Sequence, residues 1–169
     1  MANLIYQNEG THLHAVPATA AQAEDVAFEV QSLASAAGRQ SAQLDLGAGA
    51  RSSLFEWRAF VQFATTPVLD EVVLIYLKTS DGVHEDNDDG TTEGAVSAID
   101  KLKNLRFIGA IKVDQATADI EMVASSGGTP IEIRARYVNV VFWNASADAL
   151  TADVDENGFT LIPVPDEIQ

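Results

Sequence analysis

Cysteine is absent from the chain, which excludes a disulfide framework, a thiolate zinc cluster and thiol catalysis. Basic residues are scarce: 10 Lys and Arg stand against 25 Asp and Glu, for a formal net charge of -15. A chain so acidic repels phosphate backbones and anionic membranes, so no nucleic acid and no membrane is expected as a partner. Long apolar runs are missing as well, and nothing approaches the ~20 residues that a spanning helix requires. The opening segment Met1 to Gly10 lacks the basic patch and apolar stretch of an export signal. Synthesis and folding in the cytoplasm are the resulting expectation.

What is present is β-forming sequence at a scale suited to one domain: 169 residues, 47% of them hydrophobic. The closing third is the densest part. Ile131 to Arg136 runs into Tyr137-Val138-Asn139-Val140-Val141-Phe142-Trp143, and Phe159 to Pro165 follows. Period 2 recurs upstream at Val26, Phe28 and Val30, then at Ala42, Leu44 and Leu46. It is clearest from Leu54 to Ala64, where Phe55, Trp57, Ala59, Val61 and Phe63 share one face. Val72 to Leu77 reads as a strand covered on both faces, and Leu105 to Val113 and Thr117 to Val123 read as further strands. Ala95 to Lys103 carries a short helical signal, with Val96, Ile99 and Leu102 at helical spacing. Asp155-Glu156-Asn157-Gly158 predicts a hairpin turn between Ala149–Ala152 and Phe159–Ile162.

About nine short strands without βαβ alternation predict an all-β fold, an antiparallel β-sandwich of jelly-roll-like type. Residues 1–24 have no sustained period and are read as an extended N-terminal arm, with residues 25–169 as the single sandwich domain. Asp81 to Glu93 holds six acidic residues and no Lys or Arg, and no basic residue follows Arg136. Both stretches read as solvated acidic surface.

Chemistry-bearing constellations are few. His12 and His14 are two apart, so their rings share a side of an extended chain, yet no third ligand accompanies them. They read as part of an arm that contacts a partner. Asp153-x-Asp155-x-Asn157-Gly158 matches the first half of a calcium loop, but Val164 stands where that loop needs a bidentate Glu. An ordinary Asn-Gly turn explains the same residues. No serine lies in a Gly-x-Ser-x-Gly elbow, and Gly47-Ala48-Gly49-Ala50-Arg51 lacks the Lys of a phosphate loop. Neither catalysis nor a cofactor is expected.

Several segments resemble tailed-bacteriophage virion structural proteins: Leu105-Arg106-Phe107-Ile108-Gly109-Ala110, Arg136 to Val141, Asn144-Ala145-Ser146, and the ending Leu161 to Gln169. Gln62 to Pro67 with Tyr76 to Gly82 is similar too, so the likeness spans Leu54 to Gln169. The resemblance implies a jelly-roll-like head protein, a capsid cement or decoration protein. It would bridge major capsid protein subunits as a homotrimer on the outer surface of the phage head. The arm residues Leu4, Ile5, Tyr6, His12 and His14 would make the capsid contact. A tail or head-tail connector subunit and a host-glycan-binding module are the alternative readings, the latter needing an exposed aromatic among Trp57, Tyr76 and Trp143.

Overall fold

The computed structural model describes residues 12–20, 25–48 and 52–164. Two sheets of six strands each pack face to face as a β-sandwich. In chain order the strands are β1 (Leu13–Val16), β2 (Val26–Ala27), β3 (Ala37–Gln40), β4 (Leu44–Asp45), β5 (Leu54–Val61) and β6 (Val72–Ser80). They continue with β7 (Gly94–Val96), β8 (Arg106–Lys112), β9 (Met122–Ser125), β10 (Ile131–Glu132), β11 (Tyr137–Asn144) and β12 (Gly158–Val164). The first sheet runs β10-β5-β12-β1-β2, with β9 also paired to β5; the second runs β7-β3-β11-β6-β8, with β4 also paired to β11. Only the β1–β2 pair is parallel among these ladders.

The alternation in β5 has the expected consequence. Phe55, Trp57, Ala59 and Val61 point into the sandwich, and Phe63 beyond the strand end is buried with them. They meet Val73, Ile75 and Leu77 of β6 and Val138, Val140 and Phe142 of β11 in one continuous core. Aromatic contacts join the layers: Phe28 meets Phe142 edge-on at 4.9 Å, and Trp57 stacks on Phe159 at 6.1 Å between ring centroids. Each large apolar side chain taken out of water here contributes about 1.5–3 kcal/mol. Trp57 also spans the gap to β8. A Cβ added to Gly109 would lie 2.6 Å from its ring, so only glycine fits at that crossing.

Four expectations are corrected. Leu13–Val16, assigned to the arm, form a strand inside the first sheet, where Leu13 pairs with Leu161 and Ala15 with Phe159. Ala15 and Val16 are 0% and 1% exposed, so core burial holds a segment too short to display a period. The C-terminal hairpin does not form. Strand β12 lies between β5 and β1, and Leu150 makes only an isolated bridge to Phe63. The stretch 117–121 is not a strand, since Asp119 turns the chain at φ 58 and pairing begins only at Met122. The helical signal yields strand β7 and a single 3-10 turn at Ile99–Leu102.

Candidate functional site: the covered outer face of the second sheet

Alternation sends every second residue of β6 and β11 away from the sandwich, yet those residues are buried or half-buried as well. Val141 and Trp143 form a second apolar cluster with Val96, Leu102 and Leu105, against which Leu74 and Tyr76 pack. The segment from Asp81 to Leu105 folds back to cover this face. Close approach is built in at Gly38, where an added Cβ would stand 2.7 Å from the Trp143 ring. The 3-10 turn drives Leu102 inward and leaves Ile99 60% exposed. Phe107, 55% exposed, meets half-buried Tyr76 edge-on at 5.4 Å. These residues form an open apolar shelf beside a shallow depression of about 340 Å³, lined by Tyr76, Ile99, Asp100, Leu102 and Lys103. Trp57 and Trp143 are both buried, so neither is an open stacking platform.

The other part of the cover is the acidic segment, and it is not the solvated loop that its composition suggests. Asp86 accepts hydrogen bonds from the Thr79 backbone N–H at 2.6 Å and the Thr79 hydroxyl at 2.8 Å. Arg39 grips Glu93 with its forked guanidinium, one arm at 2.9 Å. Lys101 is paired with Asp88, and this partnership holds the Asp88 carboxyl below the usual carboxylate range and raises Lys101. At the loop tip, the backbone N–H groups of His84 and Val83 and the His84 ring hold Asp81 down at about 2.

Beneath this loop lies a polar centre. Lys78 is 0% exposed, and its ammonium donates to the Gly90 carbonyl and sits 2.5 Å from Glu85 Oε2. Its direct cross-strand neighbour on β11 is Asn139, also 0% exposed. The Asn139 amide donates to the carbonyls of Ser41 at 2.8 Å and Thr91 at 3.1 Å. Gln40 Nε2 donates to two more loop carbonyls, those of Asp89 and Thr92, and shares the Gly90 carbonyl with Lys78. Buried donors on the sheet thus answer the loop's backbone acceptors, which otherwise would be stranded away from water. Sequence reading passed over these residues, although Lys78 and Asn139 each interrupt an apolar run and so carried a readable signal.

The residues singled out from sequence are scattered. His12 is exposed, and its ring lies 6.3 Å from the half-buried His14 ring. His14 Nδ1 is 3.1 Å from the Thr160 hydroxyl, and its backbone N–H donates to Asp25 at 2.7 Å. Leu4, Ile5 and Tyr6 lie outside the described residues. Asp153 and Asp155 are exposed, whereas Asn157 is fully buried and turned inward, where its Oδ1 accepts from the Gln62 N–H at 3.2 Å. Its Nδ2 donates to the Asp153 carbonyl at 3.1 Å, so Asn157 pins the turn from inside. Among the described residues no three His, Asp or Glu side chains converge on a metal position.

No protein-family model matches the chain, and no curated protein matches it.

Proposed function

We propose that the chain is a structural protein of a tailed-phage virion, a cement or decoration protein with a jelly-roll-like sandwich that bridges major capsid protein subunits. The likeness noted in the sequence supports this reading, and three of its segments fall on β8, β6 and β11, which are neighbours in the second sheet. The observation that carries the reading is the shelf of Tyr76, Ile99 and Phe107, an apolar contact surface on a chain of net charge -15. Copies so acidic repel one another everywhere except where basic groups gather. Lys103, paired with Asp100 at 2.8 Å, lines the shelf's depression, and exposed Arg106 precedes Phe107, so like-charge repulsion between copies is weakest there.

In this reading the shelf joins copies into a threefold oligomer, and the N-terminal residues Leu4, Ile5, Tyr6, His12 and His14 reach the capsid. The Asp81 end of the acidic loop faces solvent and keeps virions dispersed. Many modest contacts repeated over a shell then add to a large stabilisation. Locating and counting the chain in purified virions is the test: many copies on the head support cementing, and a few at the tail assign it to a connector.

A further inference from the structure

The centre under the acidic loop has a feature that hydrogen bonding alone leaves unexplained. Asn139 Oδ1 is buried with no hydrogen-bond partner among the described residues, and Glu85 Oε2 lies 2.5 Å from the Lys78 ammonium. That charge-assisted contact occupies the carboxylate and leaves Asn139 Oδ1 as the unanswered oxygen. The orientation of Asn139 is fixed by its surroundings: Nδ2 faces the carbonyls of Ser41 and Thr91, which only an N–H group can answer. Its carbonyl oxygen is consequently turned elsewhere and left bare. A buried amine, held by a largely buried carboxylate, thus lies beside a buried carboxamide with an unanswered oxygen.

We propose that this is the site of a self-catalysed isopeptide bond between Lys78 Nζ and Asn139 Cγ, with Glu85 as the catalytic acid and base. Lys78 and Asn139 are directly paired across antiparallel strands, so their Cβ atoms are about 5 Å apart and on the same side of the sheet. A lysine chain spans that distance with slack. Glu85 takes a proton from the Lys78 ammonium, and the freed amine attacks Cγ of Asn139. The protonated Glu85 carboxyl donates to the developing oxyanion at Oδ1, the oxygen left unanswered in the starting state. Glu85 then relays the proton from Nζ to Nδ2. The Nζ–Cγ bond has formed, the Cγ–Nδ2 bond breaks, and ammonia departs.

The balance closes: an ammonium, a carboxylate and a carboxamide become a secondary amide, a carboxylate and an ammonium ion, with no oxidant or cofactor consumed. The Ser41 and Thr91 carbonyls that hold Nδ2 in the starting state position the leaving group. Proximity supplies much of the rate, because both reactants are fixed by strand pairing. The bond would tie β6 to β11, the two central strands of the second sheet, in a chain that has no cysteine for the purpose.

The test is the intact mass of the full chain, followed by proteolysis. The expected result is a mass lower than that of the sequence by one ammonia, no tryptic cleavage after Lys78, and a branched peptide joining Lys78 to Asn139. A succinimide at Asn157-Gly158 would also lose ammonia, so the branched peptide is the deciding readout. Lys78→Arg and Glu85→Gln should each restore the full mass; circular dichroism confirms that either variant is folded, and one folded variant suffices. Full mass and ordinary cleavage at Lys78 in the native chain, unchanged by prolonged incubation, would overturn the proposal. So would ammonia loss that persists in a folded Lys78→Arg variant.

Discussion

Replacing Asn157 by Ala isolates the inward-facing turn from everything around it. The side chain is fully buried, accepts from the Gln62 N–H and donates to the Asp153 carbonyl. Its loss strands the Gln62 N–H, in a residue only 8% exposed, and a stranded buried donor costs about 1–3 kcal/mol. The Asp153 carbonyl belongs to an exposed residue and recovers water, so its lost bond adds little. The sum is about 1–3 kcal/mol, which lowers the melting temperature of a chain this size by roughly 2–12 °C. Thermal and urea denaturation of wild type and variant measure it directly. Asn157→Asp keeps the acceptor but removes the donor and buries a carboxylate, whose folded-state pKa is raised by desolvation. Its deficit should therefore be full at neutral pH and shrink as pH falls below that raised pKa. A loss under about 0.5 kcal/mol for Asn157→Ala, the level of ordinary surface substitutions, would refute the pinning role. A wild-type melting temperature that rises with calcium, with the rise abolished in the variant, would make Asn157 a ligand instead.

Deleting residues 1–24 removes β1 and with it the buried Ala15 and Val16, so the truncated chain should lose about 2–4 kcal/mol of stability, roughly 1.5–3 from Val16 and about 0.8 from the Ala15 methyl. Retention of the full melting temperature would contradict the place of β1 in the first sheet. Asp81, held at about 2 by the backbone N–H groups of His84 and Val83 and by the His84 ring, should titrate well below an ordinary aspartate in carbon-detected NMR. Because its pKa is lowered on folding, its contribution is complete above pH 3.8 and fades as pH falls towards 2; titration near 3.8 would sink the turn geometry. If copies associate through the shelf as proposed, Phe107→Asp should convert the proposed trimer to monomer in light scattering, at a stability cost of only about 0.5–1.5 kcal/mol from the lost Tyr76 contact. An unchanged oligomer would remove the shelf from the interface.

Much of the sandwich was legible because period 2 is written by the core itself. Phe55, Trp57, Ala59 and Val61 had to share a face, and the unbroken apolar run in β6 announced cover on both sides. The nature of that cover was not legible. An acidic stretch looks solvated from its side chains, but here its backbone carbonyls are the anchored groups, held by Lys78 on the strand just before it and by Gln40 and Asn139 from strands distant in sequence. The Asn157-Gly158 pair misled for a related reason: its local turn signal was real, while the partner of β12 was chosen by long-range packing against Trp57 and Phe55 on β5. Strand β1 escaped notice since four residues, Leu13–Val16, are too few to display a pattern. Of the candidate sites, the histidine pair kept its expected common side, whereas the polar centre required knowing which strands are neighbours.

The claim that this is a capsid cement protein is most directly tested by cryo-electron microscopy of virions that carry it, with copies counted by quantitative mass spectrometry. The expected result is sandwich density in threefold clusters on the outer head surface, at a copy number matching the capsid lattice. Density confined to the tail or portal at a few copies, or absence from the particle, would contradict it.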